Sequence, residues 1–137
     1  MKPVKKPGNA KLFIGADSNY AIFPAYDRSI SNAPLSKEDI GEIEKILKQA
    51  TDERNNGIDS SLSYFRTRPL NEYRRQIVAT YNEKGEKVVW VNCLCREFGG
   101  RWRKEIISVY DGGSCFFNIT INLTTKTFYE FTVNGVA

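Results

Sequence analysis

From Ser114 to Thr124 the chain is apolar at every second position: Cys115, Phe117, Ile119, Ile121 and Leu123 alternate with Phe116, Asn118, Thr120 and Asn122. Successive strand side chains point to opposite faces, so this run predicts a strand with one oily and one mostly polar face. Four more runs carry strand signals, at 73–81, 88–94, 104–110 and 128–133. Between them stand turn signatures: Asn82-Glu83-Lys84-Gly85, Phe98-Gly99-Gly100-Arg101, Asp111-Gly112-Gly113 and Thr124-Thr125-Lys126. Glycine at such places supplies the positive φ that tight turns demand. The run 88–94 is apolar on both sides, which predicts a central strand covered on both faces. Short connections imply antiparallel neighbours, and hence a meander.

A different period governs residues 36–54. Ile40, Ile43, Leu47 and Ala50 recur at three- and four-residue steps, Ile46 widens the stripe, and Glu38, Glu42, Glu44, Lys45 and Lys48 fall elsewhere. This is the pattern of an amphipathic helix lying on a core. Ser36 with Asp39 predicts a capping box, Leu35 with Ile40 a hydrophobic staple, and Asn55-Asn56-Gly57 a left-handed stop. About 19 residues at 1.5 Å each give a rod of roughly 28 Å, long enough to cross four or five strands. Upstream, Leu12-Phe13-Ile14 and Tyr20-Ala21-Ile22-Phe23 are short apolar pieces that predict a small hairpin or a lid. Residues 1–11, with four lysines and two prolines, predict a flexible basic tail; residues 12–137 form one α+β domain.

The composition narrows the function classes. A chain of 137 residues, 41% hydrophobic and 26% charged, can bury a single core. The net charge of +4 is below the excess expected of a dedicated nucleic-acid binder. No apolar run approaches the ~18 residues of a membrane span. The polar opening segment carries no charged-then-apolar leader, which predicts a cytoplasmic location, or an exported one if a leader has been removed. Three cysteines are an odd number, so Cys93, Cys95 and Cys115 are expected to be small buried residues; a disulfide to Cys115 becomes possible if the chain is exported. There is no histidine. That removes Ser-His-Asp and Cys-His catalysis and His-ligated metals, and the sequence leans away from an enzyme, with no catalytic residue, metal or cofactor expected.

Basic and aromatic side chains crowd the middle of the sequence: Arg66, Arg68, Arg74, Arg75, Arg96, Arg101, Arg103 and Lys104, with Tyr64, Phe65, Tyr73, Phe98 and Trp102 among them. Arginine with exposed aromatics can grip phosphates and bases, but the same residues commonly guard exposed strand edges. Arg101-Trp102-Arg103 beside Gly99-Gly100 is the expected interaction hot spot, joined by Phe98, Arg74 and Arg75. The competing expectation has Trp102 folded back over the core.

One helix followed by an antiparallel meander resembles the cystatin-like and nuclear-transport-factor-like architectures. The resemblance implies one long helix packed on a curved antiparallel sheet of four to five strands. The stretch Asp111 to Phe117 and the ending Val133-Asn134-Gly135-Val136-Ala137 look like small uncharacterised proteins of gut Bacteroidetes, a likeness over about residues 73–137 that brings no activity with it. Gln76-Ile77-Val78-Ala79-Thr80 is similar to the protease-blocking hairpin of cystatins in its Gln and Val, with Thr80 in place of the glycine. The nuclear-transport-factor-like cone implies a small-molecule pocket, with Asp111 and Tyr110 or Tyr81 as acid–base groups. The leading expectation is a non-enzymatic binding domain whose partner is another protein. A pocket protein is the alternative, with protease inhibition or weak nucleic-acid binding behind it.

Overall fold

The computed structural model describes residues 19–135, apart from the side chains of Ser60, Ser63 and Tyr64. The basic tail and Leu12-Phe13-Ile14 lie outside the described residues. Strand β1 (Tyr20–Phe23) leads through a connector to helix α1 (Lys37–Asn56); β2 (Arg74–Tyr81), β3 (Lys87–Leu94), β4 (Phe116–Asn122) and β5 (Thr127–Val133) follow. The strands form one sheet in the order β1-β2-β3-β4-β5. β2 to β5 pair antiparallel, through tight turns at β2–β3 and β4–β5 and a long excursion between β3 and β4, while β1 lies parallel to β2 with Tyr20 opposite Arg75. The sheet is therefore mixed, not the purely antiparallel meander expected. The cause is α1, which stands between β1 and β2 and returns the chain to the same end of the sheet.

The helix forms as its pattern dictates. Ser36 Oγ accepts from the Asp39 N–H and the Asp39 carboxylate accepts from the Ser36 N–H, both at 3.0 Å. Lys87 Nζ, 2.8 Å from Asp39, ties this end of α1 to the β2–β3 hairpin. The stop is not left-handed: Gly57 has φ −86° and its N–H bonds Arg54 and Asn55 carbonyls. Instead, Asn55 Oδ1 accepts from the Thr67 N–H at 2.9 Å and anchors the chain beyond the helix. Ile43, Ile46, Leu47 and Ala50 meet Ile77, Val89, Val91, Phe117, Ile119 and Ile121 in a filled interior.

The other sheet face is half covered. Residues 104–110, read from their alternation as a strand, join no ladder. They lie over this face, and Ile107 finds its partners in side chains: its N–H donates to Gln76 Oε1 at 2.9 Å and its carbonyl accepts from Asn92 Nδ2 at 2.9 Å. Ile107, Trp102, Cys115 and Phe116 form a second core here with Ala21, Phe23 and Leu94. β3 is central in the sheet as its sequence predicts. Its outer-face Asn92 and Leu94 are buried, whereas Val88 and Trp90 remain half-exposed.

Cys95 follows β3, Cys115 precedes β4, and the two form a disulfide with Cα atoms 5.0 Å apart. This corrects the expectation of three free thiols; only Cys93, inside the helix–sheet core, is free. Pairing two of an odd number leaves one that simply packs. Gly112 completes the excursion's return with φ +93°, and a Cβ there would stand 2.5 Å from the Phe116 ring. No other residue fits without displacing that ring.

Candidate interaction surface

The excursion from Cys95 to Cys115 carries most of the residues singled out above. Phe98, Gly99 and Gly100 adopt positive φ in succession, which folds the chain sharply just after the disulfide. The fold turns Trp102 inward, to 1% exposure, so of the two expectations for Trp102 the buried one describes it. Its ring still meets the surface from below. The Arg103 guanidinium lies 4.5 Å and that of Arg74 5.9 Å from its centroid. Phe98 is clasped similarly by Arg96 at 4.9 Å and Arg101 at 5.7 Å. Arginines resting on aromatic faces lose mobility while keeping their outward donors.

Gln76 locks this ridge to the sheet. Its Nε2 donates to the Trp102 and Glu105 carbonyls, both at 2.7 Å, and its Oε1 accepts from the Ile107 N–H and from Asn92 Nδ2. Gln76 is 0% exposed and sits inside β2, so the stretch resembling the cystatin hairpin contains no hairpin. The turn falls at 82–85, where the Asn82 N–H bonds the Glu86 carbonyl.

Electrostatically the ridge is lopsided. Arg74, Arg96, Arg101, Arg103 and Lys104 face two carboxylates, Glu97 and Glu105. Glu97 pairs with Arg74, which also donates to Asn19 Oδ1, and Glu105 lies 3.3 Å from Arg101. Among the described residues, Arg96 and Lys104 make no ion pair.

Arg75 does not belong to this surface. It points to the helix face, is 4% exposed, and forks the Glu44 carboxylate at 2.8 and 3.0 Å. Burial alone would lower its pKa, but Glu44 outweighs that and keeps the guanidinium charged. Adjacent arginines in a strand must part in this way. Arg66 and Arg68 lie elsewhere, beside the second half of α1, lining a depression of about 460 Å³ with Lys48, Asp52 and Asn55.

The three pocket candidates are scattered. Tyr81 closes β2 next to the Asn82 turn and lines a shallow depression of about 560 Å³ with Ile30, Thr80 and Glu86. Tyr110 (96% exposed) and Asp111 lie toward the opposite end of the sheet, where Asn134 Nδ2 donates to the Asp111 carbonyl. The interior between helix and sheet, where a cone would hold its ligand, is occupied by side chains. Among the described residues, no cluster of Cys, Asp and Glu has metal-binding geometry, and no helix is long and apolar enough to cross a membrane.

Sequence reasoning missed the buried amides of Gln76 and Asn92, and offered a disulfide to Cys115 only for an exported chain. Asn92 was visible as an amide in an otherwise apolar strand, a signal of buried polar pairing. No family model matches the chain, and neither the curated proteins nor the solved structures contain a significant match.

Proposed function

We propose that this chain is a non-enzymatic binding domain, and that the ridge of Arg74, Arg96, Phe98, Arg101 and Arg103 is the surface it presents to another protein. The observation that carries this reading is the way the ridge is braced. Its guanidiniums rest on two rings, its base is closed by Cys95–Cys115, and its underside is held by Gln76. A surface braced in this way has less entropy to lose on docking, and arginine backed by aromatics is the composition of binding hot spots. The excess of basic groups favours a partner that presents carboxylates. Trp102 contributes as the support of Arg74 and Arg103, not by contact. A disulfide of this kind persists in oxidising compartments, which favours the exported alternative over a cytoplasmic one.

The test is comparative capture from the native host with the wild-type chain, Arg96→Glu/Arg101→Glu, and the charge-matched helix control Lys37→Glu/Lys45→Glu. A protein recovered by wild type and control, and lost with the ridge variant, is the expected result. Identical recovery by all three would sink the reading. Binding to random oligonucleotides that collapses with added salt would transfer the ridge to nucleic acid.

A further inference from the structure

The outer sheet face, one end of which lies beneath residues 102–107, has an unusual composition. Three cross-strand rows make up this face: Gln76–Asn92–Asn118–Thr132, Val78–Trp90–Thr120–Tyr129 and Thr80–Val88–Asn122–Thr127. None of these side chains is charged, in a chain that is 26% charged. A sheet face that merely meets water alternates its apolar side with charged and polar residues. Here Gln76, Asn92, Thr120 and Asn122 are buried, and the other members are Asn118, three threonines, two valines and two large aromatic rings.

The rings frame the centre of the face. Trp90 and Tyr129 both stand opposite Thr120, one from each side. β3 and β5 are separated by β4, which places the two rings roughly 10 Å apart. Tyr129 is 47% exposed, and Trp90 is half-exposed and belongs to neither core. Gln76, Asn92 and Asn122 spend their amides within the protein. Among the described residues, the side chains of Asn118, Thr120 and Thr132 form no hydrogen bond with the chain, and the Trp90 indole N–H has no partner.

We infer that this face is a second binding site, distinct from the arginine ridge, and that its ligand is a neutral oligosaccharide. Charge complementarity selects the class: with no charged side chain in its rows, and the Glu86 carboxylate at the edge held by Asn82 and Asn122, the face has little to pair with an ionic ligand. Pyranose rings present apolar C–H faces that lie on aromatic rings and equatorial hydroxyls that pair with groups such as the Asn118 amide and threonine hydroxyls. The separation of Trp90 from Tyr129 exceeds one sugar ring, so the ligand is an oligomer.

The two tryptophans make the test direct, because Trp102 is buried and Trp90 is not. The full chain is titrated with cellohexaose, xylohexaose, mannohexaose, laminarihexaose and maltohexaose while tryptophan emission is recorded, with calorimetry in parallel. At least one hexaose should give a saturable blue shift. Trp90→Ala should abolish it, and Tyr129→Ala and Asn118→Ala should each weaken binding about tenfold, the scale of one lost contact. Trp90→Phe, which keeps a ring, should bind by calorimetry without the optical signal. Arg96→Glu/Arg101→Glu should bind the sugar unchanged, so the fate of the ridge does not decide this one. The inference is overturned if no hexaose alters Trp90 emission at millimolar concentration. It is equally overturned if Trp90→Ala and Tyr129→Ala bind like wild type. Trp90 emission that shifts with protein concentration alone would give the face to a second copy of the chain instead.

Discussion

Gln76 uses its whole hydrogen-bonding capacity inside the protein: two amide protons on two carbonyls, and two lone pairs on two N–H donors. That completeness is what makes a buried amide tolerable, and what makes its loss costly. Gln76→Leu keeps the volume but strands the Ile107 N–H and one proton of Asn92, at about 1–3 kcal/mol for each group left unpaired. The expected outcome in urea denaturation is a lower midpoint with an unchanged slope, together with iodide quenching of Trp102, which is shielded in the wild type. Equal stability and a still-shielded Trp102 would show that the second core holds the ridge without the amide. In the sequence, Gln76 is only the polar member of an alternating strand. Its partners lie 16–31 residues downstream, and nothing local announces them.

Elements with a strong local code were legible. The α1 stripe, its capping box and the β4 alternation each follow from spacing alone, and each is present. Residues 104–110 have the right alternation and yet are no strand, because Gln76 and Asn92 satisfy Ile107 where a neighbouring ladder would otherwise be needed. Periodicity reports which side chains want burial; it does not say whether the backbone's partner is another strand. β1 was ambiguous because four residues carry too little period to read. The cap of α1 also has a pH signature. Burial pushes the Asp39 carboxyl up, but the Lys87 ammonium and the Ser36 N–H and hydroxyl outweigh it and hold it below the usual carboxylate range. A depressed carboxyl stabilises the fold above its unfolded pKa of about 3.9 and loses that contribution as pH falls through the lower, folded value. Asp39→Asn should therefore be less stable than wild type at neutral pH, with the gap in Tm closing below about pH 4. A gap independent of pH would mean that the carboxylate's charge contributes nothing.

At the scale of the molecule, the disulfide decides how the half-covered face is kept. It closes a loop of about 20 residues, and such a cross-link is worth about 3 kcal/mol. Cys95→Ser/Cys115→Ser should lose about that much stability and expose the 96–114 segment to protease before the rest of the chain. A thiol count checks the premise. Burial pushes the Cys93 thiol up to about 12, so the folded chain should react with no thiol reagent. In denaturant without reductant it should show a single thiol. Three thiols under those conditions would remove the disulfide, and with it the support for an exported chain.

The parallel seat of β1 has a consequence for how the chain assembles. The β2–β3 and β4–β5 pairings close tight turns and β3–β4 closes the disulfide-bounded excursion, whereas Tyr20 reaches Arg75 only across the connector, all of α1 and the turns beyond it. Loop-closure entropy makes long-range contacts slow to reward their cost. The first of the described strands to be made must thus wait for β2, beyond α1 in the chain, before its place exists. Until it arrives, the flank of β2 stands open to any other extended chain that can match it.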